Sequence, residues 1–201
     1  MRFILASNSP RRREILKELN YEFEVKTADF DESTVDLSDP AEGVQQLALG
    51  KAMAAADDVA SPARTVLLGA DTVVVRNGAV MGKPVDENEA FLMLSALSGQ
   101  THTVYTGVAA VVKENGAVVS SETLVEATDV TFFDLTEEEI RGYIATGEPM
   151  DKAGAYGIQG LGCVLVKGIS GDYLTVVGLP AARVVRLLKS LGVEPVGTPH
   201  M

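Results

Sequence analysis

The stretch Phe3-Ile4-Leu5-Ala6-Ser7-Asn8-Ser9-Pro10-Arg11-Arg12-Arg13 starts the chain as a strand and turns it directly into a helix. Phe3 to Ala6 is a short apolar run of the kind a buried strand needs. Ser9 suits the N-cap, and Pro10 suits the first helical position, where its missing N–H would have had no helical partner. Ile15, Leu16 and Leu19 supply an apolar stripe, and Asn20 can end the helix. Tyr21 to Val25 alternates as a second strand. A strand, a helix and a strand in succession predict an α/β chain.

Working outward, residues 27 to 38 are acidic and polar and read as a surface loop. Asp39-Pro40-Ala41-Glu42 starts an Ala-rich helix expected to run to about Asp58. Thr65 to Leu68 and Thr72 to Val75 read as two β-branched strands joined through Gly69-Ala70-Asp71. Asn77-Gly78 signals a hairpin returning through Ala79 to Met81, and Asp86 to Leu97 has helical spacing. Asn115-Gly116 joins two long strands, Thr103 to Val112 and Ala117 to Phe133. Thr136 and Glu139 form a capping box for a helix to about Ala145. A glycine-rich loop, strands at Cys163 to Lys167 and Tyr173 to Val177, and a helix from Pro180 to about Leu191 complete the pattern. Hairpins dominate the later part, so the expected class is α/β with a mixed sheet and flanking helices. One continuous domain is expected over residues 1–192, with a mobile tail at 193–201.

With 17 Lys and Arg against 28 Asp and Glu, the net charge is −11, which disfavours a nucleic-acid polymer as partner. A single cysteine, Cys163, excludes an intramolecular disulfide and a multi-cysteine zinc site. The two histidines, His102 and His200, are too few for a histidine-rich metal centre. No run approaches the roughly 20 apolar residues of a membrane span, and arginines interrupt the N-terminus before any signal-like stretch. The expectation is a soluble cytoplasmic protein with no membrane partner.

Four segments carry candidate chemistry. At the first strand-to-helix junction, backbone N–H groups and Arg11, Arg12 and Arg13 offer a phosphate site, with hydroxyls from Ser7 and Ser9. Basic residues oppose the helix dipole there, which favours an anion site over a merely solvated helix start. Asp71 lies in an apolar strand pair, where a carboxylate must be partnered, bind a metal or serve catalysis, unless it only organises a turn. With histidine scarce, a general base here is an Asp or Glu, and carboxylates suit Mg²⁺. Gly82-Lys83-Pro84 is not a P-loop, since Pro84 replaces the metal-binding hydroxyl. Lys83 remains a candidate phosphate contact, as does Lys51 on the second helix, and each equally suits a plain surface lysine. Residues 151–160 combine Lys152, several glycines and Gln159, whose carboxamide can read a base edge. His102 and Cys163, both in strand patterns, are expected to be packed.

As an ordered set over roughly residues 3 to 190, these segments resemble the Maf family of nucleoside triphosphate pyrophosphatases. The likeness rests on Leu5-Ala6-Ser7-Asn8-Ser9-Pro10-Arg11-Arg12, Leu68-Gly69-Ala70-Asp71-Thr72-Val73, Gly82-Lys83-Pro84 and Leu97-Ser98-Gly99-Gln100-Thr101-His102. It extends through Asp151-Lys152-Ala153-Gly154-Ala155-Tyr156-Gly157-Ile158-Gln159-Gly160 and Val177-Gly178-Leu179-Pro180. The resemblance implies a fold of the inosine-triphosphate-pyrophosphatase type, with two lobes around a cleft. It implies hydrolysis of a nucleoside triphosphate to the monophosphate and pyrophosphate, aided by Mg²⁺ or Mn²⁺. By the same resemblance Asp71 is the proton acceptor, and Ser7, Arg12, Lys51 and Lys83 handle phosphate. Glu32 joins Asp71 as a metal-associated carboxylate, while Arg11, Thr72, Gln159 and Lys152 contact the substrate. The form of residues 154–159 is similar to the branch acting on dTTP and UTP; a sister branch acting on 7-methyl-GTP differs there. A modified pyrimidine nucleotide as substrate, a non-catalytic nucleotide-binding regulator of cell division, and a homodimer are further expectations.

Overall fold

The computed structural model describes residues 1–197. The first strand, β1, spans Arg2–Leu5, and helix α1 spans Pro10–Glu18. Asn20 adopts a left-handed conformation (φ 59°), and the Tyr21 N–H closes the end of α1 on the Leu16 carbonyl at 3.0 Å. That capping bond takes the backbone donor that a strand at Tyr21 would use, so β2 covers only Glu24–Val25. Helix α2, Pro40–Asp57, starts where Asp39 accepts the N–H groups of Ala41 and Glu42.

Strand β3 runs unbroken from Thr65 to Arg76, so Gly69-Ala70-Asp71 is not the expected connector. Gly69 and Ala70 are buried and their backbone stays extended. Strand β4 (Ala79–Met81) returns antiparallel on β3, and α3 (Glu87–Leu97) begins at Asp86, which accepts the Glu89 N–H. Strands β5 (Thr101–Glu114) and β6 (Ala117–Phe132) turn at Asn115 and Gly116, both with positive φ. Helix α4 (Glu137–Ile144) carries the expected capping box. Strand β7 is Val166–Ser170, preceded by a 3-10 turn at Gly160–Leu165 where a strand from Cys163 was expected. Tyr173–Val177 is a short helix, α5, because Asp172 accepts both the N–H and the hydroxyl of Thr175. Helix α6 is Ala181–Ser190.

Among the described residues the mixed sheet has seven strands, in the order β2-β1-β3-β5-β6-β7 with β4 also on β3. β1 is parallel to both β2 and β3, whereas β7 is antiparallel to β6. The chain forms two compact units, and β3, β5 and β6 each run from one into the other. The first unit holds Met1–Asp71, Thr106–Val125 and the segment from Gly178; the second holds Thr72–Tyr105 and Glu126–Val177. The first core sets Ala48, Ala52, Ala55 and Ala56 of α2 against Ile4, Leu67, Ala109 and Val111. The second gathers Leu94, Leu97, Ile140 and Ile144 around Phe132, Tyr143 and Tyr156. Of the expected tail, 198–201 lie outside the described residues. Before them, Val193 is buried and the Val196 N–H bonds the Asn20 carbonyl. No helix among the described residues is long and apolar enough to cross a membrane.

Small side chains let α2 lie close on the strands. A Cβ added at Gly69 would collide with the Ala48 carbonyl oxygen and come within 3.0 Å of the Ala52 Cβ. Gly69→Ala is therefore expected to destabilise the protein by about 1–3 kcal/mol, through overpacking. The check is a lower urea midpoint with an unchanged slope.

Candidate active site

In the first unit, the turn after β1 and the first turn of α1 build a rigid cationic group. Ser9 caps α1 by accepting the Arg12 N–H at 3.5 Å. Ser7 is buried, and its hydroxyl oxygen accepts from the Ser9 N–H at 3.2 Å and from Arg12 Nη1 at 3.1 Å. Both lone pairs are then engaged, and the Ser7 proton is left to donate. Arg12 Nε donates to the Gly178 carbonyl at 2.8 Å. Burial pushes the Arg12 guanidinium below its ordinary pKa, opposed first by Asp71. The like charge of Arg11 adds to the lowering, and Glu32 opposes it. Asp71 and Glu32 thus both lie within electrostatic reach of Arg12.

Helix α2 contributes Lys51, whose ammonium lies 2.5 Å from Asp71 Oδ1 and 2.9 Å from Glu32 Oε1. The Lys51 and Asp71 side chains are only 23% and 14% exposed, against 58% for Glu32. Lys51 is therefore no free surface lysine, and Asp71 organises no turn, since β3 continues past it. Glu32 stands on a single 3-10 turn, Glu32–Thr34, capped by Asp31. The Phe30 ring lies where a Cβ on Gly50 would be, with Phe30 Cε1 2.7 Å from that position. That contact seats the acidic loop on α2 one residue before Lys51. Two carboxylates meeting at one cation offer oxygen donors of the kind that would suit a hard divalent ion. No cluster of three or more acidic, histidine or cysteine side chains that could hold a metal occurs among the described residues.

Ser7, Arg12, Glu32, Lys51 and Asp71 thus come together within one unit, with Arg11 in the same first turn as Arg12. Thr72, Lys83, Lys152 and Gln159 belong to the second unit. Thr72 follows Asp71 on β3, and alternation turns its side chain to the opposite face. Lys83 is exposed, and the Gly82 carbonyl beside it accepts the Gly154 N–H at 3.0 Å. Lys152 Nζ is tied within its own loop, donating to the Glu148 carbonyl and, at 2.7 Å, to the Asp151 carboxylate. Gln159 is exposed at the start of the Gly160–Leu165 turn, and its side chain makes no capping bond there.

Sequence reasoning missed three groups: the Gly178 carbonyl behind Arg12, Tyr143 and Glu148. Burial pushes the Glu148 carboxyl up, but the Leu161 and Gly162 N–H groups and the Tyr143 hydroxyl outweigh it and hold its pKa low. An acidic residue between Gly147 and Pro149, at the start of the glycine-rich loop, was the available signal. Cys163 is exposed, contrary to the packing expected of it, because its strand is replaced by the 3-10 turn. His102 is buried as expected; its Nε2 lies 2.8 Å from the Tyr156 hydroxyl, and its ring is edge-on to Phe132.

Burial, with a smaller contribution from Arg76, lowers the His102 pKa from 6.5 to about 4, against an opposing pull from Asp129. The unfolded chain then binds a proton that the folded chain refuses. Stability should fall as pH drops from about 6.5 to about 4, by up to about 3 kcal/mol from this group alone. The expected result is a flatter stability–pH curve over that window for His102→Asn than for wild type, read by denaturation.

Residues 2–191 match the family model described as Maf-like protein. A dTTP/UTP pyrophosphatase of Bacillus cytotoxicus is 52% identical over 188 residues, covering 94% of each chain. A dTTP/UTP pyrophosphatase of Clostridium novyi is 50% identical over 195 residues, covering 96% of this chain and all of its own. Among solved structures, the Staphylococcus aureus Ham1 protein aligns with a TM-score of 0.38 at 13% identity, over 67% of this chain and 73% of its own.

Proposed function

The chain belongs to the Maf family, and from that membership we propose that it hydrolyses nucleoside triphosphates, dTTP and UTP foremost, to the monophosphate and pyrophosphate. The observation that carries this reading is the Lys51 ammonium held between Asp71 and Glu32, within electrostatic reach of the anchored Arg12. Such a cluster combines fixed positive charge for phosphate oxygens with a carboxylate able to take a proton. Relatives about half identical to this chain and named dTTP/UTP pyrophosphatase support the same substrate class.

Arg12 and Lys51 receive the triphosphate oxygens, and Ser7 donates its hydroxyl to one of them. Asp71 accepts a proton from a water whose oxygen bonds to the α-phosphorus. The bond from that phosphorus to the bridging oxygen breaks, and its electron pair leaves with pyrophosphate. Glu32 and Asp71 would hold a divalent cation, Mg²⁺ or Mn²⁺, which when bound neutralises charge on the triphosphate. Family membership extends the assignment to Lys83 for phosphate, and to Arg11, Thr72, Lys152 and Gln159 for the nucleoside. Gln159 is assigned the pyrimidine. The same reading places the protein in the cytoplasm, with the free nucleotide pool as its partner, and as a homodimer.

Pyrophosphate release from a nucleotide panel, with and without chelator, tests the reaction. Release from dTTP and UTP that chelator abolishes is the expected outcome. Release mainly from 7-methyl-GTP overturns the base assignment, and nucleotide binding without any release overturns the hydrolase. Asp71→Asn should lower kcat by about 10²–10⁴-fold, as loss of a general base does, while calorimetry still detects dTTP binding. An Asp71→Asn enzyme of full activity removes Asp71 from the base role.

A further inference from the structure

Gln159 stands on a short arch, residues 158–160, and both feet of that arch are fastened to one pair of side chains. On one side the Gly157 N–H donates to the Tyr143 hydroxyl oxygen at 3.1 Å. On the other, the Leu161 N–H donates to Glu148 Oε2 at 2.9 Å and the Gly162 N–H to Glu148 Oε1 at 3.0 Å. The Tyr143 hydroxyl donates to Glu148 Oε1 at 2.9 Å, joining the two anchors. The fit leaves no spare room. A Cβ on Gly160 would lie 2.7 Å from Glu148 Oε2, and one on Gly162 would lie 2.6 Å from the Tyr143 hydroxyl oxygen. Tyr143 is buried in the core of the second unit on α4, and Lys152 Nζ holds the Glu148 backbone through its carbonyl.

We propose that Tyr143 and Glu148 are positioning residues for base selection, fixing where the Gln159 carboxamide is presented. This rests on the reading that Gln159 contacts the base of the substrate. A carboxamide selects by direction, so an arch free to shift would hold many hydrogen-bonding geometries and prefer none strongly. A charged carboxylate accepting two backbone N–H groups and a hydroxyl is a stiff mount, because each bond is charge-assisted.

The test uses Glu148→Gln and Tyr143→Phe in the full chain, with Gln159→Ala as reference. Hydrogen exchange at Gly157, Leu161 and Gly162 should accelerate in Glu148→Gln and, at Gly157, in Tyr143→Phe. The dTTP-to-GTP ratio of kcat/KM should drop about tenfold, the factor expected for one lost charge-assisted hydrogen bond. The drop should come through KM for dTTP, with kcat held within about twofold. Adding Glu148→Gln to Gln159→Ala should lower the ratio no further. Equal loss of kcat on every nucleotide would mark a merely structural role and overturn the proposal. An unchanged ratio despite faster exchange would overturn it too. Should Gln159→Ala keep the full ratio, the base-reading role falls and this proposal with it; should only Glu148→Gln and Tyr143→Phe keep it, the clamp alone falls. Tyr143→Phe retains the buried ring, so it carries the test if Glu148→Gln does not fold.

Discussion

Helix α2 lies against strand β3 at a separation that a side chain on Gly69 would forbid, and the candidate site depends on that closeness. Asp71 is two residues beyond Gly69 and shares its face of the strand, toward α2. Lys51 lies in the same helical turn as Ala48 and Ala52, the residues that meet Gly69. Close backbone approach therefore brings an ammonium and a carboxylate, far apart in sequence, into direct contact. On the outer side of α2, Gly50 makes a second close contact, with Phe30, which brings the Glu32 loop onto the same lysine. Each glycine sits inside a regular element, β3 or α2, at an intrinsic cost of roughly 0.5–1 kcal/mol relative to alanine. The Ala-rich helix packing around them offsets that cost through burial.

An acidic protein of net charge −11 needs its anion-binding groups concentrated and immobile. Arg12 is fixed through two of its nitrogens, by a backbone carbonyl and by a serine that is itself bonded to the turn. Lys51 is fixed by carboxylates. Groups held this way need little reorganisation when charge develops on a phosphate, which is where electrostatic catalysis gains most. The same chemistry recurs away from the site in a purely architectural role. Buried Lys113 donates to the Ala56 and Val59 carbonyls at the end of α2, where a cation also complements the helix dipole.

The second unit uses an anion instead. Glu148 gathers backbone N–H groups of the glycine-rich loop much as a capping residue gathers those of a helix, and Tyr143 carries that anchorage back into the core. His102 supports the other end of the loop through Tyr156, in a buried cluster with Phe132. Glycine supplies the turns of this loop, but polar and aromatic residues outside its glycine pattern supply the rigidity.

Helix starts and tight turns were legible in the sequence because their causes lie within a few residues. Ser9, Asp39 and the Thr136–Glu139 box all cap as their spacing predicts, and both Asn-Gly pairs turn hairpins. The candidate residues themselves were also legible, as residue types in motifs. What was not legible lay where a distant contact overrode the local signal. Gly69-Ala70-Asp71 looks like a turn and stays a strand, buried beneath α2. Tyr173–Val177 looks like a strand and coils, because Asp172 claims the first turn. Sequence by itself determined the α/β class, the caps and the identity of the charged groups. Tertiary structure alone decided that Lys51 meets Asp71 and Glu32, and that Tyr143 and Glu148 hold the arch of Gln159. Those pairings follow from how closely backbones can approach, a property of packed elements that no local run of residues encodes.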